Sequence, residues 1–137
     1  MKVLRPVCVG AFLLCVHQMI SPAAAFEPAL AGAWAQDRAE CEALFSHSGK
    51  TISFKTPINA FDQAFIISGR QIRTPKASCR IRRVKKSGDR RILALTCATS
   101  VAVDEVPAIL APLPDGTLRR YVNEADKKGS KYERCRL

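Results

Sequence analysis

Between residues 51 and 135 short runs of β-forming residues alternate with turn residues, the pattern of an antiparallel all-β domain. Residues 51–56 place Ile52 and Phe54 on one face, and residues 64–67 are apolar throughout. A turn at Ser68 and Gly69 leads into residues 70–74. Residues 79–86 and 90–97 flank Ser87, Gly88 and Asp89 and read as a hairpin. Residues 101–106 and 108–113 are two further strand candidates, Pro114-Asp115-Gly116 is a turn, and residues 117–122 and 131–135 read as the last strands. Seven or eight such strands must bury one face and protect their edges, and a small antiparallel β-barrel does both. The one departure is a short N-terminal helix of two or three turns at most. Asp37 with Glu40 resembles a capping box, and Cys41, Leu44 and Phe45 follow at helical spacing.

The first 25 residues have a different pattern, that of a cleavable export signal. Lys2 and Arg5 form a positive start, an apolar stretch runs from Val7 to about Ile20, and Ala23-Ala24-Ala25 offers small side chains for cleavage before Phe26. A membrane anchor is the competing reading, but a spanning helix needs about 20 apolar residues and this stretch is shorter. Cys15 follows Leu13-Leu14 rather than a small residue, which argues against lipid attachment there. The short positive start and alanine-rich site look bacterial, so the periplasm or the medium is the expected destination. Residues 26–137 would then form a single domain that is not integral to the membrane.

Export changes how the cysteines are read. Cys8 and Cys15 leave with the signal, and Cys41, Cys79, Cys97 and Cys135 remain, an even set that in an exported chain implies disulfides. Without a C-x-x-C spacing, and with His47 the one histidine after residue 25, no metal site is expected. A three-residue loop about Gly88 would set Cys79 opposite Cys97, whereas a two-residue loop would shift the register by one. That register favours Cys79 with Cys97 and Cys41 with Cys135. The sequential pairing, Cys41 with Cys79 and Cys97 with Cys135, stays open as the alternative.

Charge singles out the central hairpin. The chain carries 22 basic and 12 acidic residues, and without Lys2 and Arg5 the net charge is still +8. Arg80, Arg82, Arg83, Lys85, Lys86, Arg90 and Arg91 place seven cations within twelve residues, with Asp89 the single acid among them. Alternation lets Ile81, Val84, Leu93 and Leu95 face inward, but the adjacent Arg82 and Arg83 break it, so a bulge is expected there. Such a hairpin attracts anions with a strength that falls as salt rises. Nucleic acid is not the expected partner, because the compartment is wrong and the run has no aromatic side chain for base stacking. The expected partner is an anionic envelope component or an acidic protein.

Candidate catalytic groups have plainer readings. His47, between Ser46 and Ser48, is expected in a solvated turn after the helix. The carboxylates of Glu40 and Glu42, and of Asp104 and Glu105, sit at spacings that point them apart in a helix or a strand. No enzyme activity and no cofactor is expected. The supply of Ile, Leu, Val and Phe suggests a packed barrel interior, and a small-molecule carrier would require that interior to be open.

Gly32-Ala33-Trp34, ahead of the helix, resembles the G-x-W signature of lipocalin-like barrels. The resemblance implies that Trp34 plugs one barrel end while an arginine from a late strand, Arg119 or Arg120, packs across it. Chain length, export signal and an early G-x-W followed by a cysteine are also similar to small periplasmic metalloprotease inhibitors of Gram-negative bacteria. That likeness implies a flexible segment, residues 26–31, that enters a protease cleft.

Overall fold

The alternation along the chain closes into a barrel. A computed structural model describes residues 26–137, and the export signal expected over residues 1–25 lies outside the described residues. Eight strands form the closed antiparallel barrel: β1 (Gly32–Ala35), β4 (Ala64–Ser68), β5 (Gln71–Arg73), β6 (Ser78–Ser87), β7 (Arg90–Ala98), β8 (Val103–Pro112), β9 (Leu118–Tyr121) and β10 (Ser130–Arg134). Each pairs with its neighbour in that order, and β10 returns to β1. A separate hairpin of β2 (Phe45–Ser48) and β3 (Thr51–Phe54) lies between β1 and β4 in the chain.

Three local expectations need correction. The first barrel strand is not the run at residues 51–56 but β1, which contains the G-x-W residues themselves. His47 stands not in a turn but in β2, opposite Ile52 and exposed, a strand the polar run Ser46-His47-Ser48 concealed. The two strands expected on either side of Pro107 are one, β8, which pairs with β7 without a break from Val103 to Leu110, while β9 pairs with it only from Ile109 onward. Pro107 therefore lies where β8 has a single neighbour and a missing N–H is tolerated. The helical segment is as short as expected. Asp37 caps a 3-10 turn, Arg38–Glu40, by accepting from the Ala39 N–H at 2.9 Å, and the turn continues into α1 (Cys41–Leu44).

Side-chain parity sorts the apolar residues into an inner and an outer set. Trp34, Phe65, Ile67, Ile72, Ile81, Leu93, Leu95, Leu110, Leu118 and Tyr132 fill the barrel. Ala33, Ala35, Ala64 and Ile66 point outward from β1 and β4 and are covered by Cys41, Leu44 and Phe45. The covering layer is tied down by the Cys41–Cys135 disulfide, and Cys79–Cys97 bridges β6 and β7, as the nested pairing requires.

The register that brings Cys79 opposite Cys97 arises from two compensating features. The turn contains two residues, Gly88 and Asp89, since Ser87 pairs with Arg90; Gly88 leads it at φ +61°, as the glycine-first hairpin turn requires. Alone, that turn would move the register by one residue from the expected three-residue loop. The bulge between Ile81 and Arg83 moves it back.

Candidate functional site

One barrel end is sealed by the chain leading into β1. Leu30 is fully buried, and its carbonyl accepts a 3.0 Å hydrogen bond from Trp34 Nε1. Arg134 lies over the Trp34 ring at 4.6 Å and donates to the Ala31 and Ala29 carbonyls, each at 2.7 Å. The arginine across the tryptophan is thus Arg134 and not Arg119 or Arg120. Barrel closure sets β10, not β9, beside β1 and pairs Trp34 directly with Arg134. Arg119 instead donates to the Lys128 carbonyl, and Arg120 lines the opposite end of the barrel. Gly32 leads into the strand at φ +133°, a conformation side-chain-bearing residues rarely adopt, with Arg134 close by.

Glu27 completes this cap. Its carboxylate accepts from Arg91 Nε at 2.6 Å and Nη2 at 2.7 Å, a bidentate pair at the barrel end. That hydrogen bond, ahead of the charge attraction of Arg91 and Lys86, holds the Glu27 carboxyl below its ordinary pKa, and Glu27 in turn raises that of Arg91. Residues 26–31, expected to be flexible, are therefore anchored by a buried leucine, a salt bridge and two arginine-to-carbonyl contacts.

The opposite end is open, and the interior is not packed throughout. A half-open cavity of about 460 Å³ has a floor of Phe65, Ile72, Leu95, Leu110 and Tyr132. Asp62, Lys76, Asp104 and Arg120 add charge to its lining. The opening follows from β8, whose first half faces inward with Asp104, Val106 and the small Ala108 rather than with large apolar side chains.

The seven hairpin cations do not act as one group. Arg91 is engaged by Glu27. Arg90 stacks on Tyr121 at 3.7 Å and donates to the carbonyls of Glu124 at 3.0 Å and Asp126 at 2.7 Å, pinning the β9–β10 loop. Lys86 shares the inward parity of Arg91 at the hairpin tip. Arg80, Arg82, Arg83 and Lys85 form the remaining set, and all four are exposed.

The bulge aligns these four. Leu95 and Cys97 are buried, so Thr96 between them points outward, and Arg82 Nε donates to its hydroxyl at 3.0 Å. Arg83 pairs with Ala94 on the same outer face, and Arg80 and Lys85 pair with Thr96 and Ile92. Regular alternation would have turned Arg83 into the barrel. With the bulge, both adjacent arginines stand outside. Among the described residues none of the four forms a salt bridge, and Glu105, across β7 from Arg80, is the one carboxylate on the outer face of β6, β7 and β8. Beside the cations lies a shallow trough lined by Arg82, Arg83, Lys85, Ile92, Ala94 and Pro107.

Among the described residues no cluster of three or more His, Cys, Asp or Glu side chains is arranged to hold a metal, and no helix is long and apolar enough to cross a membrane. Asp104 and Glu105 face opposite sides of β8, opposite Cys97 and Thr96. Comparison with family models, with curated proteins and with solved structures finds no match for this chain.

Proposed function

We propose that the protein is an exported, non-enzymatic binding module that engages an anionic component of the cell envelope through the outer face of β6. The observation carrying this reading is the bulge at Arg82, which turns two adjacent arginines to the same side and lines up four cations without carboxylate partners among the described residues. Like charges held together cost stability through mutual repulsion, and an arriving anion relieves that cost. Two disulfides fit residence in an oxidising compartment and so support export. The Trp34–Arg134 stack at the sealed end is in keeping with the lipocalin-like resemblance.

A protease inhibitor working through residues 26–31 is the competing proposal. It would have to release Leu30 from the core and break the Glu27–Arg91 pair, and the anchoring of that segment favours the basic face instead. The test is binding to anionic probes, namely dextran sulfate, polyphosphate and phosphatidylglycerol vesicles, at low and physiological salt. Reversal of Arg80, Arg82, Arg83 and Lys85 to Glu is expected to abolish binding and leave the urea midpoint nearly unchanged. Undiminished binding by the reversed variant would overturn the assignment.

A further inference from the structure

The outer face that carries the cations also carries apolar side chains left in water. In the β7–β8 register, Ala98 pairs with Val103, Thr96 with Glu105 and Ala94 with Pro107. Asp104 shares the inward side of Cys97, so Val103 points outward, and it is 69% exposed. Val101, in the loop that joins these two strands, is 91% exposed. From β6 to β8 the face therefore grades from a row of cations, through the small side chains Ala94, Thr96 and Ala98, to Val103, Glu105 and Pro107, with Val101 exposed in the adjoining loop. No other part of the described chain covers the two valines.

A soluble polyanion would use the cation row and gain nothing from exposed valines beside it. A membrane surface presents both complements together, with anionic headgroups for the cations and an apolar layer just beneath for the valines. The geometry suits that order, since long Arg and Lys side chains reach headgroups while short valines at the edge enter the interface. Resting on the anion-binding reading above, we propose that the outer face of β6, β7 and β8 docks the protein on an anionic lipid surface. Arg80, Arg82, Arg83 and Lys85 contact lipid phosphates, and Val101 and Val103 enter the interface. Glu105, the one acid on this face among the described residues, stands in β8 between Val103 and Pro107 and limits how deeply that edge settles.

The experiment uses the protein comprising residues 26–137 with both disulfides formed, and vesicles of phosphatidylglycerol and phosphatidylcholine in equal parts. Phosphatidylcholine vesicles, glycerol 3-phosphate and dextran sulfate serve as comparators. Binding to the mixed vesicles is expected to be at least about tenfold tighter than to phosphatidylcholine alone, since each surface cation contributes roughly fivefold. Val101→Ser with Val103→Ser should weaken vesicle binding several-fold without altering dextran sulfate binding. A Val101→Trp variant should show blue-shifted emission on the anionic vesicles. Equal affinity for dextran sulfate and vesicles, together with no effect of the serine pair and no emission shift, would overturn the lipid assignment while leaving anion binding in place. Failure to bind any anionic probe would overturn both.

Discussion

Two faces of the same barrel are treated in opposite ways. Outside β1 and β4 the outward residues are Ala33, Ala35, Ala64 and Ile66, and the chain folds α1 and the β2–β3 hairpin over them and fastens the layer with Cys41–Cys135. Outside β6 the outward residues are Arg80, Arg82, Arg83 and Lys85, and no element among the described residues covers them. Small apolar side chains invite a second layer because burying them stabilises the fold, whereas a row of cations cannot be buried without partners. The first face therefore belongs to stability, and the second stays open to solvent.

That division is breakable at several points. The largest effect is expected from opening the covered face with Cys41→Ala and Cys135→Ala. The bridge spans 94 positions, so its loss should cost about 4–5 kcal/mol in the chain-entropy model, against about 3 kcal/mol for Cys79–Cys97, which spans 18. Urea unfolding of the two pairwise variants measures both, and a larger loss from the shorter bridge would contradict the assignment of the covered face to stability. Phe45→Ala, which removes a side chain only 2% exposed, should follow at about 3 kcal/mol by the same measurement.

Glu27→Gln probes the sealed end, with a smaller expected loss of about 1 kcal/mol at neutral pH for a partly exposed pair. The Arg91 hydrogen bond lowers the folded-state pKa of Glu27, so its contribution is fully present above the unfolded-state value. That contribution is lost as the pH falls below the ordinary glutamate value of about 4.3 and through the lowered folded-state value. The variant should accordingly show a flatter acid limb in stability against pH. An unchanged acid limb would show that Glu27 does not hold the cap. The smallest effect on stability, within about 0.5 kcal/mol, is expected from reversing the four outer cations, because all four are exposed and only Arg82 makes a side-chain hydrogen bond among the described residues, to Thr96.

Much of this architecture was legible in the chain, though not always for the expected reason. The Cys79–Cys97 pairing followed from the hairpin about Gly88, yet it holds because a two-residue turn and a bulge cancel. The adjacent Arg82 and Arg83 signalled the bulge, since strict alternation would have placed one of them in the core. The role of Arg134 was not legible, because it depends on which strand closes the barrel against β1, a contact between residues 100 positions apart in the chain. For the same reason Glu27 gave no sign of pairing with Arg91, 64 positions away, and residues 26–31 read as free when they form the cap. The open end escaped because composition counts apolar residues without saying where they face. The first half of β8 turns Asp104, Val106 and Ala108 inward where larger apolar side chains would have filled the barrel.

Seven hairpin cations were legible as a group, and the fold divides them: Arg90 and Arg91 serve the protein's own loops and cap, Lys86 takes the inward parity at the hairpin tip, and the outer row of four remains. The most direct test of that row as the binding surface is residue-resolved backbone NMR during titration with small bicelles containing phosphatidylglycerol. Amide shifts confined to Arg80–Lys85, Ala94–Ala98 and the 99–103 segment are the predicted result. Shifts centred instead on the β2–β3 hairpin, on residues 26–31 or in the open cavity would contradict it.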